Sequence, residues 1–333
     1  NPKSGIGKKD SLPELIDKCI DKNLFDYQIV YTEYAGHATK LTQQAVKDKF
    51  TIVVAVGGDG TVNEIGKALI NTDTALGIIP VGSGNGLARH LDIPVNVKGS
   101  LQILNQACIH KLDYGIINDM PFFCTCGMGF DAFISMKFAE AGKRGVITYV
   151  QKVLEEGLKY EPETYDIEDN EGIHHYKAFL VSVANASQYG NNAYIAPQAS
   201  MSDGMLDIII MEPFDILDAP QVAIEMFNKT LNKSSKIKTF KAKHIHIHRK
   251  KEGVIHFDGD PIMAGSDVDI RIVPRGIKVV VNPKEHKDKR KPNMIQTSFS
   301  QLFSNIDLIR SNLNKQGRKF QALNKTILRK LNI

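Results

Sequence analysis

The sequence predicts an α/β fold: an N-terminal parallel α/β domain followed by a mainly antiparallel β domain, built as a sandwich. Three observations carry this reading. Apolar runs alternate with helical patterns through about residue 110. One of them, TIVVAV at 51–56, is apolar throughout, as a strand covered on both faces must be. Near Asp113 the pattern changes, and strand signals dominate to about residue 270.

In chain order, residues 27–31 read as a strand and 37–48 as a helix. The 51–56 strand leads to a helix over 63–70, a strand over 75–81, glycines at 82–86 and a helix from about Leu87. Further strands are predicted at 122–126, 176–184, 205–211, 236–248 and 254–257, with helices at about 133–158 and 217–231. Strands at 268–273 and 277–281 follow. The expected division is an α/β domain at 1–112 and a β-rich domain at 113–270. Residues 271–283 form strands returning toward the first domain, and 284–333 a basic helical tail.

The chain has 333 residues, 42% hydrophobic and 24% charged, a soluble composition with length for about two domains. It has no run of about 18 apolar residues, which excludes a membrane-spanning helix of ordinary length. Cys19, Cys108, Cys124 and Cys126 are too scattered for a disulfide framework, and a single CxC lacks the second ligand pair of a zinc site. Reduced cysteines point to the cytoplasm. The sequence begins at Asn1 rather than methionine, so residues ahead of it are expected. Residues 284–333 hold 12 Lys+Arg against 3 Asp+Glu, net +9, while the remainder is net −4. That asymmetry suggests an anionic partner for the tail. Phe299, Leu302, Phe303, Ile306, Ile309 and Leu313 repeat at helical spacing, as do Phe320, Leu323, Ile327 and Leu331. Such a helix could pack on the body or on a second copy. It could also lie on a membrane with its basic face on anionic headgroups. Nucleic acid is not expected as its partner.

The chemistry concentrates in AVGGDGTVNEIGKALI, residues 55–70. Gly57, Gly58 and Gly60 allow a sharp turn and close backbone approach to a ligand. A helix from near Thr61 adds the positive end of its dipole, so strand, turn and helix form an anion site suited to phosphate. A simple phosphate cradle has no use for Asp59; beside phosphates it implies Mg²⁺, reached through water. The plain alternative is a βα turn with Asp as a turn residue. Neither GxxxxGK[ST] nor GxGxxG is present. PVGSGNGLARH at 80–90 repeats the logic with Gly82, Gly84 and Gly86, and Ser83 and Asn85 can add side-chain hydrogen bonds. NPKSGIGKK at the start is a third loop, where Lys3, Lys8 or Lys9 could reach phosphate oxygens. Asp258-Gly259 reads either as a hairpin turn or as a carboxylate with room for a substrate beside it. His244, His246 and His248 share one strand face at period two and read as solvated.

In order along residues 1–283 stand NPKSG (1–5), TEYAGHAT (32–39), GGDGTVNEI (57–65) and PVGSGNGLAR (80–89). LDYG (112–115), GFDA (129–132), SDGMLDI (202–208) and FDGDP (257–261) follow. This combination resembles the lipid kinases that share the diacylglycerol kinase catalytic domain, the sphingosine kinases among them. The resemblance implies a fold like that of NAD kinase and phosphofructokinase, with a nucleotide-binding domain and a lipid-substrate domain. It implies ATP on Asn1, Pro2, Lys3, Ser4, Gly5 and Thr32. The same nucleotide would touch Gly57, Gly58, Asp59, Gly60, Thr61, Val62, Asn63, Glu64, Ser83, Gly84 and Asn85. Asp258 would be the catalytic base, with Asp260 beside it in the DGE-type motif, and Asp59 and Asp113 would complete a Mg²⁺-and-water network. Asp203, with Ser200 and Met205 offering backbone carbonyls, would form a structural metal loop. The chemistry is consistent with this: phosphoryl transfer needs positioned phosphates, a metal and a carboxylate for the acceptor hydroxyl. Two departures stand out. Asp260 is where the family commonly has Glu, and Gly86 is where bacterial diacylglycerol kinases commonly have Asp and sphingosine kinases a small residue. The second favours a sphingoid long-chain base, whose amine Asp113 could also meet. The expected enzyme is a cytoplasmic lipid kinase, peripherally attached to membrane. A strand edge in the β domain could pair two copies into a homodimer. The alternatives are an NAD kinase and a catalytically inactive lipid sensor.

Overall fold

The computed structural model describes residues 11–132, 157, 160–214 and 219–283. The expectations for 1–10, for nearly all of the 133–158 helix and for the tail at 284–333 lie outside these residues.

The first half runs α1 (Leu12–Cys19), α2 (His37–Lys47), β1 (Ile52–Gly57), α3 (Asp59–Leu69), β2 (Ala75–Pro80), α4 (Gly86–His90) and α5 (Val97–Leu104). Proline sits in the first turn of α1, where its missing N–H removes no helical bond. Asn96 caps α5 by accepting the Gly99 N–H. β1 and β2 pair in parallel from Ile52↔Ala75 to Gly57↔Pro80, so both strands deliver their glycine loops to the same edge. All six residues of β2 are buried, as its apolar sequence requires.

The 27–31 stretch is not a strand. It has no regular secondary structure, joins no sheet among the described residues, and leaves Ile29, Val30 and Tyr31 exposed. Its residues favour a pleated surface, but a strand needs a ladder partner, and none of the described residues supplies one.

The second half contains β3 (Ile109–Ile117), β4 (Met120–Phe122), β5 (Thr125–Gly129), β6 (Glu163–Asp169), β7 (Gly172–Ala178), β8 (Leu180–Ala184) and β9 (Leu206–Met211). Then come α6 (Ala219–Phe227), β10 (Ile237–Ala242), β11 (His244–Arg249), β12 (Gly253–Phe257), β13 (Asp260–Ala264) and β14 (Asp267–Val280). Three stretches that read as single strands are pairs: β4 and β5, β7 and β8, β10 and β11. At each break the chain crosses from one sheet to the other. Conversely, 268–273 and 277–281 belong to one strand, β14, carried through a bulge where Arg275 is left-handed at φ 55°.

One sheet has the order β1-β2-β14-β11-β6-β7, with β3 beside β14 and β4 beside β3; the other is β10-β9-β8-β5-β12-β13. Every pairing in the second sheet is antiparallel. The two sheets enclose a core around Phe122, Tyr165, Ile247, Ile255 and Ile270, which makes the expected sandwich. The α/β core gathers around Leu69, Leu76, Ile79, Leu101 and Val279. β14 contributes to both: its first half pairs with β11, and Val279 pairs in parallel with Leu76 of β2. Among the described residues no helix is long and apolar enough to cross a membrane.

Candidate active site

The two glycine loops touch backbone to backbone. A Cβ on Gly82 would lie 2.4 Å from the Gly58 Cα, so no larger residue allows this approach. α3 begins at Asp59, two residues ahead of Thr61, and places the carboxylate in its first turn, where the helix dipole favours it. Asp59 Oδ2 accepts the Asn85 N–H at 2.8 Å and Oδ1 accepts the Gly86 N–H at 2.6 Å. Asp59 therefore clips the second loop to the first. Asn85, left-handed at φ 52°, closes its own loop: Oδ1 accepts the Gly82 N–H at 3.1 Å and Nδ2 donates to Gly82 O at 2.8 Å. Burial pushes the Asp59 carboxyl above the usual carboxylate range, opposed by the Gly86 and Asn85 N–H groups and by the Arg89 charge. Each Asp59 oxygen keeps a second lone pair, which suits a water-mediated cation.

Around this pair of loops, Ser83 is exposed, and a Cβ on Gly60 would meet nothing within 4 Å. Thr61 packs against Gly57, while Val62 and Asn63 are buried in α3. Glu64 Oε1 accepts the Thr39 N–H at 3.1 Å and so satisfies an orphan donor at the start of α2. Thr32 is half-buried in the segment before α2. Asn1, Pro2, Lys3, Ser4 and Gly5 lie outside the described residues.

Both readings of Asp258-Gly259 hold at once. With φ of 50° and 87°, the two residues form the two-residue turn between paired Phe257 and Asp260, the primed geometry of tight hairpins. The side chain reaches back to the break between β4 and β5. Oδ2 accepts the Phe123 N–H at 2.7 Å, and Oδ1 accepts those of Cys124 at 2.7 Å and Thr125 at 3.0 Å. Burial raises the Asp258 carboxyl, against the pull of these three N–H groups and of Lys67. Lys67 Nζ lies 4.6 Å from the centre of the Phe257 ring, so the later half of α3 meets the hairpin. Burial lifts the Cys124 thiol well above its ordinary pKa, and the charges of Asp258 and Asp59 add to this; the residue lies in the field of both carboxylates. Asp260, the first residue of β13, is exposed.

Asp113 is placed differently. It is 1% exposed, with Oδ1 accepting the Arg275 N–H at 2.7 Å and Oδ2 the Gly204 N–H at 2.8 Å. These bonds fix the β14 bulge and the 200–205 loop. Its link to the carboxylates runs through Asn185, whose Nδ2 donates to Asp113 O at 3.0 Å and to Phe123 O at 2.8 Å. Asp203 Oδ1 accepts the Met205 N–H, Ser200 Oγ meets Ser202 Oγ, and Lys241 Nζ bonds Asp203 Oδ2. Among the described residues no three His, Cys, Asp or Glu side chains gather as a metal cluster. His244, His246 and His248 share the solvent face, paired with Asp269 and Asp267 of β14.

The sequence reading missed the 188–192 loop. Asn191 N–H donates to Gly84 O at 3.0 Å, and Arg89 joins Gly84 O to Asn192 Oδ1. Gly190, Asn191 and Asn192 are left-handed in succession, and the Gly-Asn-Asn run was the signal for it. A Cβ on Gly86 would lie 3.1 Å from Tyr189 O, so this loop leaves little room for an aspartate there.

The comparisons agree with this fold. The diacylglycerol kinase catalytic domain matches residues 1–117, and the YegS C-terminal NAD kinase beta sandwich-like domain matches residues 125–281. A diacylglycerol kinase of Bacillus subtilis is 28% identical over 300 residues, covering 87% of this chain and 96% of that protein. An uncharacterized Synechocystis protein is 27% identical over 301 residues, covering 86% of this chain; the chain spans 66% of that longer protein. A crystal structure of a diacylglycerol kinase from Bacillus anthracis shares the fold, with a TM-score of 0.66 at 24% identity over 85% of this chain and 95% of that one. A two-domain fold with paired glycine loops and a carboxylate hairpin defines the class. The chain belongs to the lipid kinase family that carries the diacylglycerol kinase catalytic domain.

Proposed function

We propose that this protein is an ATP- and Mg²⁺-dependent kinase that phosphorylates the hydroxyl of a membrane lipid, a diacylglycerol or a sphingoid long-chain base. The observation that carries the proposal is the Asp258 hairpin, its carboxylate held by the Phe123, Cys124 and Thr125 N–H groups, together with glycine loops clipped by a second buried carboxylate, Asp59. The backbone N–H groups of those loops and the start of α3 bind and orient the nucleotide phosphates. Asp59 would hold Mg²⁺ through water, and the ion would supply neutralising charge to the phosphates. Three donors fix the Asp258 carboxylate and leave a lone pair on Oδ2 for the acceptor hydroxyl. As that oxygen bonds to the γ-phosphorus, Asp258 takes its proton, and ADP carries away the electrons of the broken P–O bond.

Gly86 favours the long-chain base, since Tyr189 crowds the place of a carboxylate; the Bacillus relatives' names favour diacylglycerol. The test is ADP release from Mg²⁺·ATP with a diacylglycerol, sphinganine or NAD⁺ offered separately, the lipids in mixed micelles. Turnover on one lipid is expected, reduced by about 10²–10⁴-fold in Asp258→Asn. Turnover on NAD⁺ alone would refute the reading.

A further inference from the structure

The loop that carries Ser200, Asp203 and Met205 already contains a cation. β9 and β10 pair antiparallel with Lys241 directly opposite Asp207. Lys241 Nζ lies 2.9 Å from Asp207 Oδ2 and 2.9 Å from Asp203 Oδ2, so one ammonium bridges strand and loop. The Asp207 side chain is 14% exposed, and burial raises its carboxyl while Lys241 opposes the rise. The other Asp203 oxygen accepts the Met205 N–H at 3.1 Å. From the interior, Asp113 holds the Gly204 N–H through Oδ2 and donates its own N–H to Met201 O at 2.7 Å. Protein groups thus fix the loop on both sides.

A divalent ion on Asp203 must displace the ammonium or stand within a few ångströms of it, where like charges repel strongly. Of the about six oxygens that Mg²⁺ or Ca²⁺ calls for, the resemblance offers one carboxylate, Asp203, and both of its oxygens are already engaged, one by the Met205 N–H and one by the Lys241 ammonium. We propose that Lys241 is the resident cation of this loop. Its ammonium fills the position that the family resemblance gives to a structural metal ion, and the loop holds its shape without one.

Thermal unfolding of the full chain, without nucleotide, tests this whatever its substrate proves to be. The wild-type midpoint is expected to be the same in EDTA and in millimolar Mg²⁺ or Ca²⁺. Lys241→Met should lower the midpoint by roughly 2–4 °C, and Lys241→Arg, which keeps the charge, should preserve it. Two results overturn the proposal. One is a wild-type midpoint that rises with Mg²⁺ or Ca²⁺, the rise vanishing in Asp203→Asn. The other is a Lys241→Met chain as stable as wild type in EDTA. Should Lys241→Met fail to fold, the chelator response of wild type and Asp203→Asn decides alone.

Discussion

His90, the last residue of α4, takes two contacts on one ring nitrogen: Nδ1 accepts the Ser187 N–H at 3.1 Å and meets the Ser187 hydroxyl at 3.0 Å. Burial lowers its pKa from 6.5 to about 4. The unfolded chain therefore binds a proton below pH 6.5 that the folded chain refuses until about pH 4. The stability His90 contributes is complete above the unfolded pKa and is lost as pH falls through the folded one, about 3 kcal/mol in all. Between pH 7 and pH 5 its share is roughly 2 kcal/mol. Urea unfolding should show a smaller loss over that interval in His90→Gln than in wild type; equal losses would refute the assignment. At this scale the sequence exposed residue types better than their partners. Asp59 and Asp258 stood out as carboxylates beside glycines. That Asp59 spends one lone pair on each of two N–H groups 26 and 27 positions away was not legible, because no local pattern encodes that contact.

The same contrast holds for elements. The apolar runs marked where strands lie, but three of them concealed corners between sheets, because the strand signal runs on through each corner. Glycines in the loops are not equivalent either. Gly82→Ala drives a methyl into the Gly58 backbone and should cost about 1–3 kcal/mol and abolish nucleotide binding, as calorimetry would show. Gly60→Ala has open space within α3 and should stabilise the chain by up to about 1 kcal/mol. Loss of ATP affinity in that stable variant would show that phosphate comes close to Gly60. The β12–β13 hairpin depends on Arg249, which is 3% exposed and donates to Gly253 O at 2.7 Å and Ala264 O at 2.9 Å. Arg249→Met leaves these carbonyls unpaired. It should cost about 2–3 kcal/mol and reduce phosphoryl transfer, because Asp258 sits at the other end of the hairpin.

For the whole molecule, the feature with the widest reach is β14. The sequence placed strands at 268–273 and 277–281, two pieces of what is one strand with a left-handed Arg275 between them. That strand passes through a bulge fastened by Asp113 and completes both cores. Truncation after residue 264 should therefore leave the α/β half open to proteolysis as well as the sandwich. A protease-resistant fragment covering residues 11–110 would contradict this. Val279 finds Leu76 about 200 residues away, so loop closure on that scale precedes any reward from packing. On the ribosome, β1 and β2 emerge early but must wait, with β2 uncovered on one edge, until β14 has been translated about 200 residues later. The order in which this polypeptide is written is not the order in which it can settle, and its dependence on chaperones should concentrate in that interval.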